Sequence, residues 1–408
     1  MVTTFYPPYH FGGDATYVRA LSESLAALGH EVTVVHCEDA FRLQAHARVV
    51  EEPTAGAINV IRLRSRAGAL SPLITQQLGV PGLKSRKLHR ILGGDYDVVN
   101  FHNISLAGGP GVLSYSRAPV TIYTLHEHWL LCPTHIFWKN RSKPCDSRQC
   151  VRCCLRSGIP PQWWRYGPFI QRQLEHVDRF ISPSEFTARQ HREILSPSAP
   201  IEVIPLFSTL APEPLGVEDS PPMPGEFIYV GRITASKGVD ELASAFAQWP
   251  EYRLTLLGNG DSLDDLREKY ATVSNVRFLG PVPQAELIRH YRRSSALILP
   301  SLAPETFGLT VVEAFACGTP AIVRAAGGNR EAVEQSGAGF VYHDLAGLRS
   351  AIDALARDPA RRRELGVRAR AAFERHYTAK VHISRYLDLV EQVREEKQHH
   401  SLVGAKGS

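Results

Sequence analysis

The chain has 408 residues and a formal net charge of +5, and 44% of its residues are apolar and 21% charged. Because one hydrophobic core rarely serves a chain of this length, two domains are expected. The small net charge, with cations and acids interspersed, argues against a nucleic-acid-binding protein. No apolar run is long enough to span a bilayer, and the first residues do not resemble a signal peptide, so we expect a cytoplasmic protein.

Short apolar runs rich in β-forming residues alternate with helical patterns in the first half, as is typical of parallel sheets covered by helices. Over 15–28, Val18, Leu21 and Leu25 recur at helical spacing. This predicted helix ends before Gly29, which accepts the left-handed conformation of a helix end. The first half contains predicted strands at 2–5, 31–36, 60–63, 97–102, 120–125, 179–182 and 202–205.

A proline-rich stretch predicts a linker over 209–224, and the alternation restarts beyond it. The sequence therefore predicts an α/β protein of two doubly wound, Rossmann-like domains that face a cleft. The second half contains predicted strands at 227–230, 253–257, 276–279, 296–300 and 321–323. The predicted domains are an N-terminal domain over 1–208 with a cysteine-rich insertion near 129–166, a C-terminal domain over 225–378, a helix over 379–397 that returns to the first domain, and a disordered tail over 398–408.

The stretch 304–320 holds two glutamates on either side of a glycine that begins a helix. Glu305 lies in the loop after an apolar strand, Gly308 begins the helix, and Glu313 lies inside it. Ligands of open α/β sheets lie outside the carboxyl ends of strands, and a helix N-terminus suits phosphate because its N–H groups are available. The two carboxylates are therefore candidates for holding hydroxyls on either side of a diphosphate. The alternative is that Glu305 is a helix N-terminal charge and Glu313 a buried structural acid.

The same stretch resembles the signature of family 4 glycosyltransferases, in which two glutamates with seven residues between them flank Phe-Gly-Leu before a Cys-Gly-Thr-Pro or Ala-Gly-Thr-Pro ending. The resemblance implies the GT-B fold and a retaining transfer from a nucleoside diphosphate sugar. It implies that Glu305 binds the donor sugar and that Glu313 binds the ribose. Further donor contacts implied by the resemblance are Phe307, Gly308 and Leu309.

Two cations and two glycines lie where the family binds the donor phosphates. By resemblance, Arg232 and Lys237 clamp the diphosphate and stabilise the leaving group as charge develops on it. Either cation alone would more often be a surface residue. Gly12 and Gly13 begin the first helix and would let backbone N–H groups approach the phosphates, although a tight strand-to-helix turn needs the same residues.

His126 ends a strand of the first half and fills the position of the family histidine that contacts the donor sugar. A satisfied core histidine is the alternative. Gly327 and Gly328 match the family glycine pair that lets the backbone approach the sugar, and Gly258 lies in a loop that resembles the lining of the nucleotide base. Arg324 stands where the family commonly has Ser or Thr, and would contact a phosphate or an anionic sugar if it faced the cleft.

Five of the seven cysteines fall within one short segment. An odd total without a secretion signal argues against a disulfide framework. A Cys-x-x-Cys pair is compatible with one arm of a structural zinc site, and reduced thiols are the alternative. No catalytic metal is expected, since cations and helix dipoles already serve the phosphates and no Asp-x-Asp motif is suitably placed. The candidate zinc ligands are Cys132, Cys145, Cys150 and Cys153.

The expected partners are a nucleotide-sugar donor, a saccharide, lipid-linked or small-molecule acceptor, and no nucleic acid. The densest basic stretch, residues 84–90, could bring the protein to the inner face of a membrane as a peripheral contact, although a solvated helix face is the simpler interpretation. Two other functions stay open. One is a nucleotide-sugar epimerase of the same fold, and the other is a non-catalytic protein that binds nucleotide sugars.

Overall fold

The computed structural model describes most of the chain, and it divides into two compact units. The middle of the predicted linker, 211–222, lies outside the described residues. Within the part described, no helix is both long and apolar enough to cross a membrane. The described residues are 1–45, 58–192, 194–195, 200–210 and 223–406, with side chains as far as residue 399.

Parallel strands alternate with helices through both halves. In chain order the strands are β1 (Val32–Cys37), β2 (Ile58–Leu63), β3 (Val98–Phe101), β4 (Val120–Thr124), β5 (Trp138–Lys139), β6 (Lys143–Pro144), β7 (Arg179–Ser182), β8 (Ile201–Val203), β9 (Glu226–Val230), β10 (Arg253–Leu257), β11 (Val276–Gly280), β12 (Ala296–Leu299), β13 (Ala321–Arg324) and β14 (Gly339–Tyr342). The helices are α1 (Gly13–Ala27), α2 (Glu38–Gln44), α3 (Leu70–Leu78), α4 (Ser85–Leu92), α5 (Cys150–Arg156), α6 (Phe169–Leu174), α7 (Glu185–Arg192), α8 (Val239–Ala247), α9 (Leu263–Lys269), α10 (Gln284–Arg293), α11 (Leu309–Ala316), α12 (Asn329–Ser336), α13 (Leu345–Arg357), α14 (Pro359–His376) and α15 (Ala379–Lys406). Short 3-10 helices lie at Gly82–Lys84, Pro110–Tyr115, Trp163–Tyr166 and Ala235–Lys237.

Unit 1 is built on parallel strands that pair as β1 with β2 and as β3, β4, β7 and β8. Val2 joins the two groups because it forms parallel bridges to Val35 and to Phe101. The strand predicted at 2–5 is therefore one bridged residue, since the chain turns back at Tyr6. The order across the sheet is β2, β1, Val2, β3, β4, β7, β8. Unit 1 comprises Met1–His135, Cys150–Pro205 and Ala379–Ser408.

The last helix, α15, belongs to unit 1 and packs there on α1 and β4. Its apolar face is buried through Tyr386, Leu389 and Val393. The helix continues to Lys406, whereas the sequence predicted a disordered tail from residue 398. Residues 394–403 contain neither glycine nor proline, so nothing in them interrupts the helix.

Unit 2 contains a six-stranded parallel sheet in the order β11-β10-β9-β12-β13-β14. Its central strands are apolar runs buried on both faces, as in Phe227 and Ile228 of β9 and all of β12. Because β9 lies between β10 and β12, the order reverses there, and the loops after β9 and β12 leave at the same edge. Unit 2 comprises Ile136–Gln149 and Leu206–Thr378.

Two parts of unit 2 were not predicted. The strand β14 pairs with β13 at the edge of the sheet, where a four-residue run gives little periodic signal. The antiparallel hairpin of β5 and β6 turns at Asn140 and Arg141, which both have positive φ. This hairpin lies in Ile136–Gln149, which groups with unit 2 rather than with the rest of 1–208.

Candidate active site

The point where the strand order of unit 2 reverses brings an acid and a base together. Lys237 closes the 3-10 helix that follows β9, and Glu305 lies in the loop that follows β12. The Nζ atom of Lys237 is 2.5 Å from Oε1 of Glu305, and both side chains are mostly buried. Arg232, directly after β9, is exposed at the same edge. The sequence motifs around Arg232, Lys237 and Glu305 therefore meet at one place.

The charge of Glu305 is set by its neighbours. Burial alone would raise the pKa of this carboxyl, but the Lys237 ammonium, a hydrogen bond from the Ser301 hydroxyl and the nearby Arg232 together lower it. Glu305 is thus ionised in the native protein and accepts hydrogen bonds. One carboxylate beside two cations leaves an excess of positive charge, which suits a diphosphate.

The backbone of Glu305 is held by Gly327, the first glycine of the pair that the sequence singled out. Gly327 forms a parallel bridge with Glu305 and has a φ of +95°. A Cβ atom on Gly327 would lie 2.4 Å from the N and O atoms of Glu305. Gly328, which was predicted to approach the sugar, donates its N–H to the carbonyl oxygen of Glu305 at 2.7 Å. The glycine pair therefore positions the Glu305 loop.

The three residues before and at the start of α11 have different environments. Phe307 is buried, and its ring lies 6.1 Å from that of Tyr377. Gly308 has a φ of +99°, and a Cβ atom there would lie 3.0 Å from Asn329. Leu309 is half-buried. Gly308, the residue before α11, has no side chain that could cap the helix, and a helix N-terminus suits an anion because its first N–H groups have no partners within the helix.

Glu313 lies on α11 and interacts with Tyr291 of α10. The Tyr291 hydroxyl donates to Oε2 of Glu313 at 2.9 Å, and the tyrosine ring is fully buried. Burial raises the pKa of Glu313 to about 7, and the hydrogen bond from Tyr291 offsets part of this rise. Near neutral pH Glu305 is therefore ionised, whereas Glu313 is present in both its protonated and its ionised form.

Two further predicted positions have structural partners within unit 2. Gly258 has a φ of +132°, and a Cβ atom there would lie 1.9 Å from the carbonyl oxygen of Gly231. It thus allows the loops after β9 and β10 to pass closely. Arg324 donates to Glu241 at 2.6 Å and to the carbonyl oxygen of Pro300 at 3.1 Å. Its guanidinium is therefore already used inside unit 2.

In unit 1 the order reverses between Val2 and β3, and α1 begins at that edge. Gly12, the residue before α1, has an extended conformation and no side chain that could cap the helix, and Gly13 is the first residue of the helix. Asp14 accepts a hydrogen bond from Asn103, which follows β3, at 3.3 Å. The predicted glycines therefore lie at a helix N-terminus, beside one carboxylate.

His126, which follows β4, lies in a group of buried imidazoles. Its Nε2 atom is 2.9 Å from Nδ1 of His102, and its ring is 5.0 Å from that of Tyr17. Burial lowers the pKa of His126 to about 4, although Asp14 raises it slightly, and burial also lowers the pKa of His102. Both rings are thus neutral at physiological pH, and one donates to the other.

The hydrogen bonds of His382 identify its tautomer. Nδ1 lies 2.7 Å from the carbonyl oxygen of Pro205, which can only accept, so Nδ1 carries the proton. Nε2 therefore accepts from the Tyr17 hydroxyl, at 2.6 Å. Burial lowers the pKa of His382 to about 4, which keeps the ring neutral. This chain of bonds fixes the ring of Tyr17 beside His126.

The structure does not support a zinc site at Cys132, Cys145, Cys150 and Cys153. In the described ranges no three His, Cys, Asp or Glu side chains converge to hold a metal, and no two cysteines form a disulfide. Cys145 falls in unit 2 and the other three in unit 1. Burial and neighbouring thiols raise the pKa of Cys154 to about 11, so that it remains a thiol. The five cysteines of this segment are therefore thiols that form no disulfide with one another.

Sequence reasoning missed the residues that act on the predicted ones through long-range contacts. In unit 2 these are Ser301 and Tyr291, for which the sequence carried no signal. In unit 1 they are Tyr17, His102 and His382, which lie far apart in sequence.

Several proteins of known activity are similar to this chain. Over 400 residues it is 28% identical to the glycogen synthase of Mycobacterium tuberculosis strain H37Rv, and the match covers 92% of this chain and 89% of that protein. It is 33% identical over 238 residues to the D-inositol 3-phosphate glycosyltransferase of Kineococcus radiotolerans, covering 49% of this chain and 54% of that protein.

Solved structures share the fold. The sucrose-phosphate synthase of Thermosynechococcus elongatus superposes with a TM-score of 0.71 at 22% identity, covering 96% of this chain and 98% of that one. Anabaena HepE, in complex with UDP and glucose, superposes with a TM-score of 0.63 at 18% identity, covering 96% and 99%.

Two family models match the chain in turn. Residues 11–207 match the family described as Glycosyltransferase Family 4, and residues 216–372 match the one described as Glycosyl transferases group 1. The two matches together take in most of both units. The chain therefore belongs to the family 4, group 1 glycosyltransferases and is a glycosyltransferase with the GT-B fold.

Proposed function

We propose that this glycosyltransferase retains the anomeric configuration and uses a nucleoside diphosphate sugar as its donor. The observation that carries the proposal is the Lys237–Glu305 pair beside Arg232, at the carboxyl ends of the central strands of unit 2. Two cations can neutralise a diphosphate there, while the ionised Glu305 accepts hydrogen bonds from sugar hydroxyls. Anabaena HepE, which shares the fold, was solved with UDP and glucose.

In the proposed reaction the bond between the anomeric carbon and the β-phosphate oxygen breaks, and the acceptor oxygen bonds to the same face of that carbon. The acceptor hydroxyl gives its proton to the departing phosphate oxygen. Lys237, Arg232 and the N-terminus of α11 stabilise the negative charge that develops on the diphosphate. No protein nucleophile is needed, and no metal ion is assigned to the donor.

The other predicted ligands have roles consistent with their charge. Glu313, whose raised pKa keeps a substantial fraction of the carboxyl protonated near neutral pH, can donate to or accept from the ribose hydroxyls. Gly12 and Gly13 offer backbone N–H groups to a phosphate. A neutral His126 can exchange one hydrogen bond with a sugar hydroxyl. These assignments follow the family resemblance and stay predictions.

The basic stretch 84–90 contributes less to a membrane contact than its composition suggests. Lys84 is buried and donates to Ser71 and Thr75 at 3.1 and 3.0 Å, whereas Arg86, Lys87 and Arg90 are exposed. A peripheral contact at the inner face of a membrane therefore rests on the exposed cations and on their surroundings. A cytoplasmic location and the acceptor, whether saccharide, lipid-linked or small molecule, stay predictions.

Diphosphate release from a panel of UDP, GDP and ADP sugars, with and without candidate acceptors, tests the proposal. We expect one donor to support acceptor-dependent release, and nuclear magnetic resonance of the product to show retention of the anomeric configuration. The variant Glu305→Gln should lose activity while Glu268→Gln, an exposed acid of the same unit, should not. Interconversion of sugars without acceptor would instead indicate an epimerase, and nucleotide-sugar binding without turnover a binding protein. An inverted product would contradict the retaining mechanism.

A further inference from the structure

Two segments of unit 1 contain no acidic residue. They are residues 66–94 and 150–174, and neither holds an aspartate or a glutamate, although these make up 41 of the 408 residues of the chain. The first segment covers α3 and α4, and the second covers α5, the 3-10 helix Trp163–Tyr166 and α6. Such a deficit of negative charge in two separate segments is informative only if they share a surface.

The two segments pack against each other. The indole Nε1 of Trp164 donates to the carbonyl oxygen of Gln76, on α3, at 2.9 Å. A Cβ atom on Gly79, the left-handed residue that ends α3, would lie 2.9 Å from the Trp164 ring. Arg165 lies over the rings of Trp129 and Trp164, at 5.1 and 4.5 Å from their centroids. The two segments therefore form one packed surface of unit 1, which we call the acid-free surface.

The acid-free surface carries an unusual share of exposed apolar side chains. Twelve large apolar side chains are exposed in the described part of the chain, and seven of them belong to these two segments. Trp163 is 67% exposed and Tyr166 60%, and their rings lie 6.0 Å apart. Burying such side chains against another apolar phase is favourable. The seven are Leu70, Leu73, Leu78, Leu83, Leu155, Trp163 and Tyr166.

The same surface carries exposed cations that lack acidic partners. None of them forms an ion pair with a carboxylate of the described residues. Elsewhere in the chain exposed cations commonly have such partners, as Lys269 has Asp240 and Arg368 has Glu364. The exposed cations of the two segments are Arg66, Arg86, Lys87, Arg90, Arg152, Arg156 and Arg172.

We infer that the acid-free surface binds the face of an anionic lipid bilayer. Leucines and aromatic rings that enter the boundary between headgroups and acyl chains gain from burial, and tryptophan and tyrosine suit that depth. Arginine and lysine beside them are attracted by anionic headgroups, and the two segments contribute no acidic side chain that would be repelled. Exposed leucines distinguish this surface from one that binds nucleic acid, which relies on cations and stacking rings.

This inference does not depend on the donor chemistry, so it can fail while the transferase assignment holds. Sedimentation with vesicles of phosphatidylcholine alone, or with 30% phosphatidylglycerol, measures binding by the full chain at about 0.1 M salt, where charges still act over roughly 10 Å. We expect binding only to the anionic vesicles, with release in 1 M salt. Equal binding to both kinds of vesicle, or to neither, would overturn the inference.

Two variants locate the contact. Leu78→Ser/Leu83→Ser/Trp163→Ser removes apolar side chains, and Arg86→Gln/Arg90→Gln removes cations. Each is expected to lower the ratio of bound to unbound protein at least about tenfold. The matched controls lie outside the acid-free surface, and they are Leu28→Ser/Leu345→Ser/Val367→Ser and Arg363→Gln/Arg375→Gln.

The controls should bind vesicles like the parent protein, and circular dichroism should show all variants folded. Full binding by folded variants of the acid-free surface would contradict its assignment. Size-exclusion chromatography with light scattering tests whether a second copy of the chain covers the acid-free surface instead. A dimer that the same variants dissociate, without any vesicle binding, would assign the surface to a second copy of the chain instead.

Discussion

The two units share a topology but differ in the chemistry at the point where the strand order reverses. If Val2 counts as the first strand of unit 1, both sheets place their third strand at one edge, then the second, the first and the fourth. In both, a glycine-containing loop follows the first strand and leads to a helix. Yet unit 2 holds the charged pair Lys237–Glu305 there, whereas unit 1 holds neutral histidines.

The difference shows that topology supplies a place for a ligand and that side chains decide what is done there. A charged pair in a partly buried site can stabilise the charge that develops on a leaving group. Neutral imidazoles can only orient a ligand through one or two hydrogen bonds. We therefore expect variants in unit 2 to affect turnover more than variants in unit 1.

The largest effect is expected from Lys237→Ala. Loss of one preorganised charge at the leaving group should lower kcat about 10²–10³-fold. His126→Ala, which removes one hydrogen bond of about 1 kcal/mol, should lower kcat/KM only about fivefold to tenfold. Steady-state kinetics of both variants, with the donor that the nucleotide-sugar panel identifies, checks the ranking.

The control for Lys237→Ala is Lys269→Ala, which breaks the exposed pair of Lys269 with Asp240 on the same unit. An exposed pair contributes little, so this variant should keep the parent rate. Equal losses for Lys237→Ala and His126→Ala would break the contrast between a charged and a neutral unit.

A second large effect is expected from Gly327→Ala. The added Cβ would lie 2.4 Å from the N and O atoms of Glu305, in a residue with φ of +95°. The backbone of Glu305 must then shift, which disturbs its pair with Lys237, and we expect both activity and stability to fall, the latter by about 2–4 kcal/mol. Urea unfolding and kcat measure the two losses.

Gly29→Ala separates backbone strain from the clash. Gly29 has a φ of +91° and no neighbouring atom within 4 Å of a Cβ, so only the conformational strain remains. Its expected cost is about 1–2 kcal/mol, with full activity. If Gly327→Ala cost no more than Gly29→Ala and kept its activity, the role of Gly327 in holding Glu305 would be wrong.

The fold was largely predictable because its strands are short apolar runs between clear breakers. The run that forms β12 and the helix before Gly29 lie within a residue or two of their predicted bounds. β14 and the hairpin at Asn140 were missed, since a four-residue edge strand and a two-residue strand give too little periodicity.

The candidate site was predictable only where its residues lie in one contiguous motif. Glu305 and Gly308 could be found from the sequence because strand, loop and helix follow one another there. The contacts of Tyr17 with His382 and of His102 with His126 join residues far apart in sequence, and no local pattern predicts such pairs. The zinc prediction failed because the Cys-x-x-Cys spacing fixes only Cys150 and Cys153 relative to each other. It does not determine where Cys132 and Cys145 lie.

A smaller effect, which depends on pH, is expected from Glu313→Gln. The native pKa of Glu313 is about 7 and its ordinary value is 4.5, so the unfolded chain releases a proton that the native protein keeps. The stability of the parent is thus undiminished below pH 4.5 and falls as pH rises to 7. The variant should gain nothing at pH 4.5 and at most about 3 kcal/mol at pH 8.

Urea unfolding of parent and variant at pH 4.5, 6 and 8 tests this. The exposed Glu268→Gln serves as the control and should show no pH-dependent difference. A constant difference between parent and Glu313→Gln at all three pH values would mean that the native protein does not raise the pKa of Glu313.

The smallest effect is expected from the neutral network of unit 1. Tyr17→Phe removes the hydrogen bond to Nε2 of His382, which Pro205 holds in one tautomer. A double-mutant cycle with His382→Phe should give a coupling energy of about 1 kcal/mol, as expected for a bond between uncharged groups. The pKa of His382 is about 4 against an ordinary 6.5, so acid weakens the parent between these values, because the unfolded chain takes up a proton that the native protein does not. His382→Phe should therefore lose less stability than the parent from pH 7 to pH 5. A coupling energy of several kcal/mol would indicate that unit 1, like unit 2, holds a charged pair at its centre, and the contrast between the two units would then be lost.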